Sequence, residues 1–179
     1  MTESLWFPDN STLCNFGAVN RLGLLERILR DRGRWTSAVV HEVTNSAGHI
    51  PALHAPISEL WLGDPITIDV AEAARVESIR VAVFGGSALQ PLEHLGEAET
   101  LFVMRERVEY RESVWITDDR AAYSFGKQQT VLTWCTRDVV ELLIADGDLT
   151  QAAGFDLLCA MMDCGRYVHQ MPASMRELS

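Results

Sequence analysis

Asp9 stands directly after the apolar stretch LWFP (residues 5–8), and Asp118 and Asp119 follow a second one, VWIT (residues 114–117). Glu97 and Glu99 lie where a helical pattern begins, and Glu42 lies within another. Carboxylates brought together without a counter-charge oppose one another's ionisation, and burying an unpaired acid costs more still. A hard divalent cation removes that conflict. Mg2+ or Mn2+ prefers carboxylate oxygens and keeps several waters, which leaves room for a phosphate oxygen. Such an ion lowers the pKa of a bound water and stabilises charge on a scissile phosphate, the chemistry of in-line phosphodiester hydrolysis. Taken singly, each acid has an ordinary role open to it. Asp9 or Asp119 alone fits a turn or a helix N-cap. Glu97 and Glu99 fit the positive end of a helix dipole, and Glu42 fits a solvated helix face.

The elements that must position these acids are short. Leu5 to Phe7 reads as a buried strand, followed by Val19, Leu22, Leu24, Leu25, Ile28 and Leu29 at helical spacing up to about Gly33. Trp35 and Thr36 form a brief extended piece, and Ser37 is placed to cap a helix carrying Val39, Val40, Glu42 and Val43. Residues 44–63 read mainly as loop, with a helical part around Ser58 to Leu62. A short strand at 65–68 precedes a helix from about Asp69 to Phe84, stopped by Gly85 and Gly86. The acidic pair opens the next helix, through Arg105. Strands at 113–117 and 130–134 flank a short helix from Arg120, and helices follow at 136–145 and from 149 to about 166. Phe155, Leu157, Leu158, Met161 and Met162 in the last of these read as core or as a homodimer surface. Strands alternating with helices of this length predict an α/β fold whose parallel sheet is covered on both faces. In such sheets ligands bind beyond the carboxyl ends of the strands, where Asp9, Asp118 and Asp119 fall.

The chain has 179 residues, enough for one domain with its own core, here expected over 1–168 with a polar tail at 169–179 that is disordered or held by a partner. Its 47% apolar and 22% charged residues are those of a globular protein. No apolar run reaches the length of a membrane span, and MTESLWFPDN lacks the basic start of a secretory signal, so a cytoplasmic protein is expected. Four cysteines without a C-x-x-C pair argue against a zinc ribbon and read as small buried hydrophobes. The five histidines lack the H-E-x-x-H spacing, and neither a G-x-S-x-G elbow, a Walker loop nor a G-x-G-x-x-G fingerprint is present. The net charge of −10 is opposite to that of a protein gripping nucleic acid by backbone charge alone. Any such activity must run through a divalent metal and a local basic rim, or the acidic surface serves a basic partner.

Four blocks, in order, resemble PIN-domain proteins. FPDNSTLCNFGAVNRLGLL resembles the family's opening, a strand-end Asp9 with a small hydroxyl, Ser11, two positions on. WTSAVVHEV resembles the helix whose Glu, here Glu42, projects toward the site. GEAETLFVM is similar to a G-E-A-E-A stretch in one branch, with Glu99 where many members place a catalytic acid, and WITDDRAA resembles the strand-end T-x-D segment that gives Asp119 with Asp118 beside it. The resemblance spans Leu5 to about Gly165. It implies a three-layer α/β/α sandwich with a central, mostly parallel sheet and catalytic Asp9, Glu42, Glu99 and Asp119. It further implies Mg2+ or Mn2+ held among Asp9, Glu99, Asp118 and Asp119, and cleavage of single-stranded RNA. Many bacterial members are dimeric toxins held inactive by a cognate antitoxin. Two features depart from the short toxin pattern: extra length at 44–63 and at the carboxyl end, and a Glu in third place, which leaves both Glu97 and Glu99 open as the ligand.

Supporting roles follow for four residues. Ser11 fits a hydrogen bond that fixes the Asp9 rotamer, or a local turn. Arg120 fits a contact to substrate phosphate, or an ion pair with one of the acids. Thr136 and Arg137 open a helix near the sheet edge, where backbone amides can meet a phosphate or Thr136 can act as a cap. The sequence thus predicts a metal-dependent endoribonuclease, with a catalytically silent PIN-like interaction module and a structure-specific DNA nuclease as the alternatives.

Overall fold

Both apolar runs that precede acids are strands in the computed structural model, which describes residues 4–178. The first residues of the segment read against a leader, 1–3, and the last residue of the expected tail, 179, lie outside it. β1 (Trp6–Pro8), β2 (Val114–Ile116) and β3 (Leu132–Trp134) form a parallel sheet in that order, with Trp6 opposite Val114 and Val114 opposite Leu132. Two isolated parallel bridges, Trp6 to Gly33 and Thr36 to Ile66, continue the pairing on the other side of β1. The chain therefore leaves β1 to one side and returns as β2 on the other. That makes the end of β1 a switch point, where an open α/β sheet leaves a crevice. Pro8 has no N–H to give, and the ladder ends instead with Asp9, whose N–H donates to Ile116 O at 2.8 Å.

The helices among the described residues are α1 (Asn10–Ala18), α2 (Leu22–Leu29), α3 (Ser37–Ala47), α4 (His54–Ser58), α5 (Val70–Phe84), α6 (Leu95–Glu106), α7 (Arg120–Gln128), α8 (Thr136–Ala145) and α9 (Gln151–Asp163). Short polar side chains start most of the long ones. Thr36, Asp69, Asp119 and Thr150 each accept a bond from a first-turn N–H, and Asp69 with Glu72 completes a capping box. α5 ends at Gly85 with φ 75°, a left-handed conformation that glycine adopts without strain.

Alternate strand residues enter separate apolar clusters. Trp6, Val114 and Ile116 pack with Phe16, Leu25, Val43, Val140 and Leu158, while Phe7 and Trp115 pack with Val76, Phe84, Leu101 and Phe102. The period of two therefore puts apolar side chains on both faces of the sheet, as expected for a buried parallel one. No helix among the described residues is long and apolar enough to cross a membrane.

Several elements differ from the sequence expectation. α1 was absent from it because Thr12 and Asn15, both fully buried, break the apolar period. Thr36, one residue before Ser37, caps α3. Residues 44–63 are more helical than a loop: α3 runs to Ala47, a 3-10 turn covers Pro51–Leu53 and α4 follows. The helix expected around Ser58 to Leu62 stops at Ser58, and Leu60 has φ 52°. The strand expected at 65–68 is reduced to the bridge at Ile66. Of the four cysteines only Cys14 and Cys135 are buried, and Cys164 is exposed. Leu157, Leu158 and Met161 are core, whereas Met162 is exposed.

The carboxyl-terminal stretch, expected to be disordered or partner-bound, packs back on the domain as far as it is described. Val168 and Leu178 are buried. Arg137 donates to the carbonyls of Gln170 and Glu177, and Gln151 to that of Leu178 at 2.8 Å. Two apolar anchors and these donors hold a segment whose polar composition suggested a free tail.

Candidate active site

At the switch point two hydroxyls join the ends of β1 and β2. Ser11 Oγ donates to Asp9 Oδ2 at 3.0 Å and accepts from Asp118 N–H at 3.1 Å. Thr117 Oγ1 donates to the same Asp9 oxygen at 2.9 Å and accepts from Asp119 N–H at 3.1 Å. Asp9 Oδ1 takes the Asn10 N–H at 2.6 Å. The Asp9 carboxylate is thus held in one orientation by three donors. Both ordinary roles considered for the aspartates are also filled, since Asp9 opens α1 and Asp119 Oδ1 caps α7 through Ala122 N–H at 2.7 Å.

A cleft of about 540 Å³ opens above these residues. Asp9, Glu42, Glu97 and Asp119 all line it, as do Ser11, Arg120, Arg166 and Tyr167. Glu42 comes from the middle of α3, where Gly96 N–H donates to its Oε1 at 3.2 Å. A methyl group at Gly96 would lie 2.6 Å from that oxygen, so glycine lets the start of α6 approach Glu42. Burial, then the neighbouring Asp9 and Glu97, pushes the Glu42 carboxyl up to about 9. Burial and Asp9 push Glu97 up to about 7, against the pull of His94, whose Nδ1 is 3.6 Å away. Asp9 is also raised, chiefly by burial, despite the donors from Thr117, Ser11 and Asn10. Among the described residues, no lysine or arginine ion-pairs with Asp9, Glu42, Glu97 or Asp119.

Of the residues expected as metal ligands, Glu99 is placed outside the cleft, and Asp118 lines it with its oxygens already bonded. Glu99 lies two positions after Glu97, about 200° around the helix, so both cannot face one cleft. Its Oε2 accepts from Ala38 N–H at 3.0 Å in the first turn of α3, and burial raises its carboxyl. The cleft acid of α6 is Glu97. Asp118 is 1% exposed and its oxygens are already taken. They accept from Asn15 Nδ2 at 3.2 Å, His169 N–H at 2.9 Å, and both the backbone N–H and the hydroxyl of Thr136. Burial raises the Asp118 carboxyl against those donors. A carboxylate that accepts this many bonds has no free lone pair for an ion. Asp118 lines the floor of the cleft as a knot of hydrogen bonds, and Asp119 lines it alongside. The Thr136 N–H meets this carboxylate in place of a phosphate, and Arg137 pairs with Glu141 at 3.0 Å.

Arg120 makes no ion pair with the acids. Its Nε donates to the Tyr167 hydroxyl at 2.7 Å. Arg166 also borders the cleft and donates to Asn15 Oδ1 at 3.2 Å. Sequence reasoning missed Asn15, Thr117, Arg166, Tyr167 and His169. Thr117 carried a signal in the T-x-D spacing, whereas the last three lie at or beyond the end of α9 where no periodicity pointed to a site.

The five cleft acids, Asp118 included, offer only oxygen, the donor set of a hard cation. As placed, no three His, Cys, Asp or Glu side chains among the described residues stand close enough to enclose one ion. Protein-family models, curated proteins and solved structures were each compared with the chain, and none matches it.

Proposed function

We propose that the cleft is the active site of a Mg2+- or Mn2+-dependent endoribonuclease, a PIN-like domain in which helices on both faces of the sheet make a three-layer α/β/α sandwich. One observation carries this reading. Asp9, Glu42, Glu97 and Asp119 share a cleft at the switch point, three of them with raised proton affinity, and no lysine or arginine neutralises any of them. Carboxylates held in such proximity waste stability unless a cation compensates them. Asp9, Glu97 and Asp119 would hold the ion in part through its own waters, since no three of these side chains enclose a single point as placed. When bound, it supplies positive charge to the acids and to the developing charge on the phosphate.

The chain's own residues do the rest. Ser11 and Thr117 fix Asp9 so that it need not reorient during the reaction. Burial raises the proton affinity of Glu42, and when a bound cation keeps it ionised its Oε2, the oxygen not bonded to Gly96, would take the proton of the attacking water. Water oxygen would bond to phosphorus as the bond to the 3′ oxygen breaks, and that oxygen would take a proton from solvent, leaving a 5′-phosphate and a 3′-hydroxyl. Arg120 and Arg166 supply charge for the substrate's phosphates. A role as the toxin of a toxin–antitoxin or defence module, with a homodimer and a cognate antitoxin, rests on the sequence resemblance alone.

The test is cleavage of mixed single-stranded RNA with and without Mn2+, by the parent and by Asp9→Asn. Cutting that needs the metal and vanishes in the variant is expected. Equal cutting by both proteins would show that the site lies elsewhere, and better cutting of DNA in competition would make the protein a DNA nuclease. The net charge of −10 favours a second reading, a silent interaction module. It predicts no cutting and no Asp9-dependent heat of Mn2+ binding.

A further inference from the structure

Tyr167 is 40% exposed beside the cleft. The Arg120 guanidinium lies 4.7 Å from the centre of its ring, and the Tyr167 hydroxyl is 3.3 Å from Nδ1 of His169. The His169 ring stands 4.4 Å from that of Tyr123, and Lys127 Nζ sits 5.3 Å above Tyr123. Cations and rings therefore adjoin one another from Lys127 through Tyr123, His169 and Tyr167 to Arg120. Neither Lys127, Arg120 nor Arg166 ion-pairs with an acid among the described residues.

The strip is held by the same network that lies beneath the cleft. Asn15 Nδ2 donates to the Tyr167 carbonyl at 3.0 Å, His169 N–H donates to the buried Asp118, and Val168 between them is buried. In a chain of net charge −10, Arg120 and Arg166 border the cleft and Lys127 lies beside the adjoining rings, none of them neutralised by an acid among the described residues. Aromatic faces stack unpaired bases with little regard to sequence, and guanidinium groups take phosphate oxygens. A duplex keeps its bases stacked on one another and offers no free face, so this arrangement suits a single strand.

We propose that Tyr167, flanked by His169 and Arg120, is a stacking wall for an unpaired base of single-stranded RNA lying across the carboxylate cleft. The identity of the ligand rests on the nuclease reading, but the wall is built from residues that carry no part of the proton transfer. An acidic protein partner would use the cations and ignore the rings, which separates it from RNA.

The experiment is fluorescence anisotropy with a labelled mixed-sequence RNA strand and with a strand of the same length made of abasic riboses. Binding is measured in Ca2+ and again in EDTA, after thermal melts have shown each variant to be folded. The parent is expected to prefer the base-bearing strand. Tyr167→Ala should weaken that binding by about 5- to 150-fold and no longer distinguish the two strands, whereas Tyr167→Phe keeps the preference. Equal affinity of the parent for both strands, no binding by the parent in either condition, or undiminished preference in Tyr167→Ala overturns the wall. Cutting in Mn2+ is scored separately on the same preparations. Cutting without base preference refutes the wall and spares the cleft; base preference without cutting does the reverse.

Discussion

Glu97 and Glu99 divide two jobs that one sequence motif blends together. Glu97→Gln should abolish Mn2+-dependent cutting and leave the melting temperature unchanged or higher, because it relieves repulsion with Asp9. Glu99→Ala should keep the cutting but cost about 1 kcal/mol, the scale of a lost helix cap, through the bared Ala38 N–H. Cleavage assays and thermal melts on both variants would show whether the jobs separate in this way. The raised acids also fix the sign of a pH effect. Glu42 and Glu97 keep their protons in the folded chain where the unfolded chain, with its ordinary value of 4.5, has lost them. Without a divalent cation the folded state then binds more protons. Stability should fall as pH rises from about 4.5, through about 7 for Glu97 and about 9 for Glu42. Melts in EDTA should decline over that window, and Glu42→Gln should flatten the decline; a flat parent curve would contradict the burial of these groups. The sequence showed which acids end strands, because strand ends are marked by apolar runs. It did not show which of two neighbouring acids turns into the cleft, since that depends on where α6 and α3 meet.

Among the elements, α6 depends on a strut that no motif announced. Arg80 of α5 is 1% exposed, and its guanidinium donates to the carbonyls of Ser87, Gln90 and Glu93 while Glu77 pairs with it. Those carbonyls belong to the loop that delivers Glu97, so Arg80 sets where α6 begins. Arg80→Met should speed hydrogen exchange in 86–95 and weaken Mn2+ binding while β1 to β3 stay protected; unchanged exchange there would remove Arg80 from the site's support. The elements most visible in the sequence were those with an apolar period and a cap, such as α5 with its capping box and α8. α1 was hidden because Asn15 is buried for its hydrogen bonds to Asp118 and Thr136 and not for its hydrophobicity. Polar residues buried in this way lower the apparent periodicity of the helices that carry a site.

For the whole molecule, the stretch after α9 is part of the structure that makes the cleft. Deleting residues 166–179 removes Arg166, Tyr167 and His169 from the site and unburies the partners of Val168 and Leu178, whose burial stabilises by about 1.5–3 kcal/mol each. A chain ending at Gly165 should melt well below the parent, and thermal denaturation of the two would decide it. Composition pointed to a free tail because two apolar anchors in a polar segment carry no period. The net charge of −10 was likewise a property of the whole surface and concealed a local gathering of cations. The Asp118 knot joins Asn15, Thr136 and His169, which lie 103, 18 and 51 residues from it along the chain. Contacts this distant form late, since loop closure precedes any gain from them. On the ribosome, the floor of the cleft stays open until His169 has left the exit tunnel. If the proposed nuclease reading holds, a nascent chain without that floor would be unable to cut the message from which it is being read.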